Sequence, residues 1–163
     1  MVFCTVATQT PGITGFTIKN DSFIGFSKGG TKALWRSNKS ESDRRLVITE
    51  SAIDAMSYHQ LFGKENTKTR YIATGGTTSK YQLDLIETAM AEMAQIGGSI
   101  VIATDNDVAG NKLAQTLARE APSQSNISRE LPKQGKDWNE LLQHIRQKEI
   151  TRNRQDRSRG WSL

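Results

Sequence analysis

Three acidic residues stand where an α/β fold does its chemistry. Glu50 follows the apolar run LVIT (46–49), and Asp105 and Asp107 follow SIVIAT (99–104). Short continuous apolar runs are the pattern of strands buried on both faces. In open parallel sheets, ligands gather beyond the carboxyl ends of such strands. Asp105 and Asp107 are two residues apart, so in extended backbone both carboxylates face one point. One or two carboxylates, completed by waters and a substrate phosphate, are what Mg²⁺ takes. Glu50, from a neighbouring strand, either completes the cluster or stays a metal-free acid or base. A further run, YIATGG (71–76), ends in Gly75 and Gly76. Each residue also has an ordinary structural use. Glu50, Asp105 and Asp107 suit helix caps and first turns, the glycines suit a helix-entry turn, and Asp54 suits a solvated helix face. What favours chemistry is their joint placement at the strand ends of one unit.

The elements that must position them form a regular series. After LVIT, the segment SAIDAMSYHQLF spaces Ile53, Met56, Tyr58 and Leu61 for a helix, with Gly63 as its stop. A second helix is expected from about Ser79 to Ile96, with Leu83, Ile86, Met90, Met93 and Ala94 on one face. A third, AGNKLAQTLARE (109–120), ends near Pro122; a weak strand, NISREL, and a last helix, DWNELLQHIRQK, follow. Alternating strands and helices predict a mainly parallel sheet with flanking helices. The first forty-odd residues differ. ITGFTI (13–18) and SFIGFS (22–27) alternate around turn residues and predict a β-hairpin. SKGGTK (27–32) is a glycine-containing loop, ALW (33–35) a short strand, and SNKSESDRR (37–45) a polar connector. The expected division is a hairpin extension over 1–44, an α/β domain over 45–147 and a basic, disordered tail over 148–163.

Composition excludes several classes. The chain has 163 residues, 36% hydrophobic and 24% charged, which suits one domain with one core. No apolar stretch approaches the roughly 18 residues of a membrane span. The N-terminal residues lack the basic and apolar regions of a secretory signal, and the expected location is cytoplasmic. Cys4 is a lone cysteine, and with the widely spaced His59 and His144 it makes no zinc pattern. The net charge of +5 is a property of the C-terminus. Six basic residues from Arg146 to Arg159 outnumber Glu149 and Asp156, while the rest of the chain holds 16 basic and 15 acidic residues. Such a tail is either a solvated terminus or an arm for phosphates.

The order VITE-SAID-A, then ATGG, then VIATDNDVAGNKLA resembles the TOPRIM domain of bacterial primases, topoisomerases and related nucleases, over about Leu46 to Leu142. With the preceding GFTIKNDSFIGFSKGGTKALW, the likeness is to primase-like modules of plasmid mobilisation and conjugation proteins. The resemblance implies a Rossmann-like TOPRIM fold and a Mg²⁺ site (Mn²⁺ possible) acting on phosphodiester or triphosphate groups. Asp105 and Asp107 would bind metal, Glu50 would be a metal ligand or a general acid/base, and Asp54, Ala109 and Gly110 match the motif's remaining positions. KQGKDWNELL falls where primase-like members carry a further acidic motif. There Asp137 is a candidate second-metal ligand or a helix cap, and Lys136 a candidate phosphate contact.

A polyanionic substrate also needs cations and surfaces. The loop SKGGTK could cradle a phosphate with its amides, with Lys28 and Lys32 adding charge, although it lacks the Walker order. Gly75, Gly76 and Lys112 are further candidates for substrate contact; Arg119 and Lys112 equally suit a solvated helix face. Phe16, Phe23, Phe26 and Trp35 interleave with basic residues, as single-strand stacking platforms do, or pack a hairpin face on the core. The reading that follows is nucleotidyl transfer on single-stranded DNA or RNA with nucleoside triphosphates, in the replication or transfer of a plasmid or mobile element, beside other domains or subunits. The rivals are a metal-dependent nuclease and a non-catalytic DNA-binding or docking module. A topoisomerase would need a nucleophilic tyrosine from a separate domain, and Tyr58, Tyr71 and Tyr81 read as core or surface.

Overall fold

A computed structural model describes residues 2–6, 12–20 and 22–159. The N-terminal part forms an antiparallel sheet from β1 (Val2–Val6), β2 (Ile13–Lys19) and β3 (Ile24–Phe26). The expected hairpin is therefore present, and VFCTV adds a third strand that the sequence reading left unassigned. Next come β4 (Trp35–Arg36), β5 (Arg45–Thr49), α1 (Ala52–Phe62), β6 (Thr69–Ala73), α2 (Lys80–Gln95), β7 (Ser99–Ile102), α3 (Val108–Glu120), β8 (Asn126–Arg129) and α4 (Trp138–Arg159). A five-stranded sheet runs β4-β6-β5-β7-β8; β5 to β8 are parallel, and β4 joins the edge antiparallel to β6. The short strand expected at 33–35 is thus shifted to Trp35–Arg36, because Ala33 and Leu34 are buried against the core ahead of the pairing.

The apolar runs behave as two-sided strands should. Leu46 and Ile48 face a core with Ile86, Met90, Met93 and Leu117 from α2 and α3. Val47, between them, faces a second core with Tyr58, Trp138 and Leu141 from α1 and α4. Helices therefore cover both faces. The chain leaves β5 to one side through α1 to β6, then crosses back to β7 on the other side. That reversal makes the gap between β5 and β7 the switch point, where such sheets open a crevice at their carboxyl ends.

Two helices differ from expectation. α1 buries Ala52, Asp54, Ala55, Ser57 and Tyr58, while Met56, expected inside, is 44% exposed. Of the residues expected on this face, Tyr58 is buried and Leu61 packs on the core, but the rest of the buried face is made of small and polar residues that hydrophobic spacing does not reveal. α4 continues to Arg159, so the segment expected to be a disordered tail is helical through that residue. Glycine and proline are absent from 138 to 159, and arginine, glutamine, lysine and glutamate are good helix formers. Beyond His144 the described residues of this helix are exposed.

Gln82 links the helical layer to the site. Ser79 and Gln82 form a capping box at the start of α2. The fully buried Gln82 amide also donates to the carbonyls of Ala33 at 2.9 Å and Thr74 at 2.6 Å, just before the Gly75–Gly76 turn. Gln82→Leu keeps the volume but leaves two buried carbonyls unpaired. It is expected to cost about 2–4 kcal/mol, read as a lower midpoint in urea unfolding followed by circular dichroism.

Candidate active site

Glu50 is the first residue beyond β5, half-buried at the sheet's carboxyl edge. Its main-chain carbonyl accepts from the amides of Gly75 at 2.8 Å and Gly76 at 3.2 Å. Those glycines have φ of +74° and +94°, in the left-handed region that side chains disfavour, so the tight turn needs them. The pair expected to contact substrate therefore positions Glu50 with its amides, and Gly76 also lines the adjoining hollow.

Across the switch point, Ala103 N–H donates to the Ile48 carbonyl at 2.8 Å, extending the β5–β7 pairing by one residue. Two residues later the Asp105 amide donates to Glu50 Oε1 at 3.0 Å. Asp107 is the N-cap of α3, its Oδ1 accepting from Gly110 N–H at 2.8 Å. Gly110 must be small: a Cβ there would lie 2.7 Å from Glu50 Oε1 and would also strike the Asp105 carbonyl. Asp54, buried at 5% exposure, accepts from Ser51 Oγ and, through Oδ1, from Asn139 N–H at 3.2 Å. That bond fastens the start of α1 to the start of α4.

The loop before α4 closes the remaining side. Lys136 C=O accepts from Asn106 N–H at 2.7 Å, and Trp138 Nε1 donates to the Ala103 carbonyl at 2.8 Å. These bonds set Lys136 Nζ 3.0 Å from Asp107 Oδ2 and 3.8 Å from Asp105 Oδ2. Asp137 caps α4, accepting from Glu140 N–H at 2.8 Å, with its charge felt at Asp105 and Asp54.

The crowding of carboxylates shows in their ionisation. Burial, then the charges of Glu50, Asp54 and Asp137, push Asp105 up to about 7. Burial also raises Glu50 and Asp54. Asp107 moves down, held ionised by the Gly110 N–H and by Lys136. One oxygen of the cluster, Asp105 Oδ1, is buried and has no hydrogen-bond partner among the described residues.

The other candidate residues divide. Lys112 is exposed on α3 and lines, with Glu50, Gly76 and Thr77, a hollow of about 330 Å³. Lys32 reaches over the glycine turn and donates to the Thr77 carbonyl at 3.1 Å. Lys28 is exposed in a turn, and no contact links it to the carboxylates. In SKGGTK, the expected cradle, the Gly30 amide donates to the Ser27 carbonyl within the loop, and the Ser27 and Thr31 amides donate to the Phe16 and Thr14 carbonyls, tying the loop to β2. Phe16 and Phe23 are 37% and 54% exposed, so they are not buried in the core.

Two residues that the sequence reading missed hold the Asp105 turn. Arg129, at the end of β8, donates to Thr104 Oγ1, to the Asp105 carbonyl at 3.0 Å and to Asn111 Oδ1 at 3.3 Å. Thr104 Oγ1 in turn donates to the Gly110 carbonyl at 2.7 Å. The available signal was an arginine within the weak strand expected at NISREL.

Among the described residues, no three histidine, cysteine or acidic side chains already stand in metal-binding array. The donor set nonetheless fits a hard divalent cation that keeps several waters: all-oxygen ligands, one buried bare oxygen, and an ammonium lodged between two carboxylates.

The family model described as Toprim-like matches residues 47–142. The chain belongs to the Toprim-like family. Among solved structures it is similar to a chain of the bacteriophage T7 assembly in which lagging-strand DNA polymerase interacts with primase domains of two gp4 subunits bound to an RNA/DNA hybrid and dTTP. The TM-score is 0.58 at 18% identity, covering 93% of this chain and 74% of that one, a likeness of fold. No curated protein is a significant match in sequence. The expected Toprim fold and family are thus present, with the glutamate and Asp-x-Asp of the motif at adjacent strand ends. No helix among the described residues is long and apolar enough to cross a membrane.

The raised Asp105 gives a pH signature. Without metal it titrates near 7 when folded and about 3.9 when unfolded. Between those values the folded state keeps a proton that the unfolded state has lost, so stability falls as pH rises from about 4 to 7. Asp105→Asn removes this penalty. Its stability relative to wild type should be about 2 kcal/mol higher at pH 8 than at pH 5, measured by urea unfolding with a chelator present.

Proposed function

We propose that this chain is the metal-dependent, nucleic-acid-processing module of a primase-like protein. The reaction is nucleotidyl transfer on a single-stranded DNA template, using nucleoside triphosphates, in the replication or transfer of a plasmid or other mobile element. The observation that carries the reading is the meeting of Glu50, Asp105 and Asp107 at the β5–β7 switch point, with Asp105 Oδ1 buried and bare. Family membership supports a divalent metal there, and the likeness of fold to the T7 assembly is consistent with a primase-type module.

Asp105 and Asp107 would hold a Mg²⁺ or Mn²⁺ ion, and Asp137, at the rim of the cluster, is the candidate ligand for a second. When bound, the metal neutralises phosphate charge and orients the reacting oxygens. This chain's own residues do the rest. Glu50 fixes the Asp105 amide through Oε1 and keeps Oε2 for a ligand or a proton. Its pKa, raised first by burial, makes it a better proton carrier than an exposed glutamate would be. Lys112 and Lys136 lie where an incoming triphosphate would need positive charge, with Lys32 behind the glycine turn.

The test is nucleotide incorporation on a single-stranded template with Mg²⁺ or Mn²⁺, for wild type and for Asp105→Asn/Asp107→Asn. Metal-dependent extension that falls at least about 100-fold in the double variant is expected, the scale for losing an electrostatic catalytic group. Shortening of labelled DNA without added nucleotide would replace this reading by the nuclease. Template binding without turnover on any substrate, unchanged in the variant, would replace it by a docking module.

A further inference from the structure

The position between Asp105 and Asp107 is taken by a cation that belongs to the chain itself. Lys136 Nζ lies 3.0 Å from Asp107 Oδ2 and 3.8 Å from Asp105 Oδ2. The backbone of this lysine is fixed at both ends. Its carbonyl accepts from Asn106 N–H, the residue between the two aspartates, and its amide donates to Glu140 Oε2 at 2.7 Å. Its side chain is held only by the two ion pairs and is 53% exposed, so solvent lies open beside it. The two carboxylates differ in the same sense. Asp107 has its other oxygen committed to the α3 cap, whereas Asp105 has its other oxygen buried and unpaired. A tethered ammonium thus covers one edge of a carboxylate pair that still lacks a partner for its inner oxygen.

We infer that Lys136 is a resident counter-ion of the Asp105–Asp107 pair, which a divalent cation must displace in order to bind. Lys136 therefore sets the metal affinity of the site as well as touching substrate. A divalent ion takes several oxygen ligands at once, whereas the ammonium reaches one oxygen closely and a second loosely. Exchange therefore favours the metal once it is present, and the freed lysine stays on its fixed loop within reach of the same crevice. In the metal-free protein the ammonium keeps like charges from driving the Asp-x-Asp turn apart. The inference rests on the metal-site reading above, and the experiment separates the two.

Mn²⁺ binding is measured by calorimetry on wild type, Lys136→Met, Lys136→Gln, Lys133→Met and Asp105→Asn/Asp107→Asn, each checked for fold by circular dichroism. Lys133→Met removes a positive charge three residues earlier in the same loop, and no contact links Lys133 to the carboxylates. Removing a competing, partly exposed ion pair is expected to tighten Mn²⁺ binding by about 3- to 10-fold in both Lys136 variants. Lys133→Met should change it by less than about 2-fold. Binding detected in the Lys136 variants alone would support the inference equally. Unchanged or weaker binding in the Lys136 variants, or equal tightening in Lys133→Met, would overturn it while leaving the metal site standing. If wild type and the Lys136 variants bind no Mn²⁺, or bind it as well as the double aspartate variant does, the metal-site reading itself fails and the inference with it.

Discussion

The parallel register of β5 against β7 is the constraint on which the site depends. Ile48 stands opposite Ile102, and the pairing runs on through Ala103 N–H to the Ile48 carbonyl. With that register Glu50 and Asp105 leave the sheet at nearly the same height, and the Asp105 amide can donate to Glu50 Oε1. A slip of β5 by one residue would turn Leu46 and Ile48 away from the face that Ile100 and Ile102 fill and part the two acids. The core therefore specifies the chemistry indirectly: alternate strand residues must fill two different helical layers, and only one register lets both fill.

Bringing acids together in a half-buried crevice carries an electrostatic cost that the surrounding elements offset piece by piece. Amide donors come from Gly110, Asn139 and Glu140, each at or near the first turn of a helix, where backbone N–H groups lack helical partners. Two helix starts, those of α3 and α4, thus converge on the cluster, and their dipoles add to the effect of the donors. Arg129 holds the Asp105 turn by its carbonyl instead of its carboxylate, which supplies positive charge nearby without occupying the coordinating oxygens. What stays uncompensated is concentrated on Asp105, and there the ionisation is displaced most.

Much of this was legible in the sequence, for identifiable reasons. LVIT and SIVIAT lack any polar alternation, so burial on both faces and a parallel sheet followed directly, and with them the strand-end position of Glu50, Asp105 and Asp107. The helix face of α1 was not legible, because Ala52, Asp54, Ala55 and Ser57 bury without a hydrophobic period. Asp54 was read as a motif position or a solvated helix face, and not as a buried tie to α4, since Asn139 is remote in sequence. Arg129 was missed because its partners are a carbonyl, a hydroxyl and an amide oxygen, none of which leaves a charge pattern. At the glycine loop 27–32 composition shows no such pairing: the Ser27 and Thr31 amides donate to the Phe16 and Thr14 carbonyls of β2, a cross-strand use that a glycine-rich composition does not reveal.

Sequence reasoning set the helix-cap use of each acid against its ligand use, and the geometry shows that these are not rivals. A carboxylate has two oxygens and the site divides them. Asp107 caps α3 with Oδ1 and turns Oδ2 to the crevice, where Lys136 meets it. Asp137 caps α4 with Oδ1, and Glu50 engages the Asp105 amide with Oε1. In each case the structural bond fixes the rotamer, and a fixed rotamer aims the second oxygen. Asp54 is the exception that defines the rule. Ser51 holds one of its oxygens and Asn139 the other, so it braces the cluster and has none left for a ligand. Asp105 is the inverse, with no cap to make and one oxygen wholly unengaged. A cap on one oxygen is thus a means of building a coordinating site, and the acid without one is where an incoming cation has most to gain.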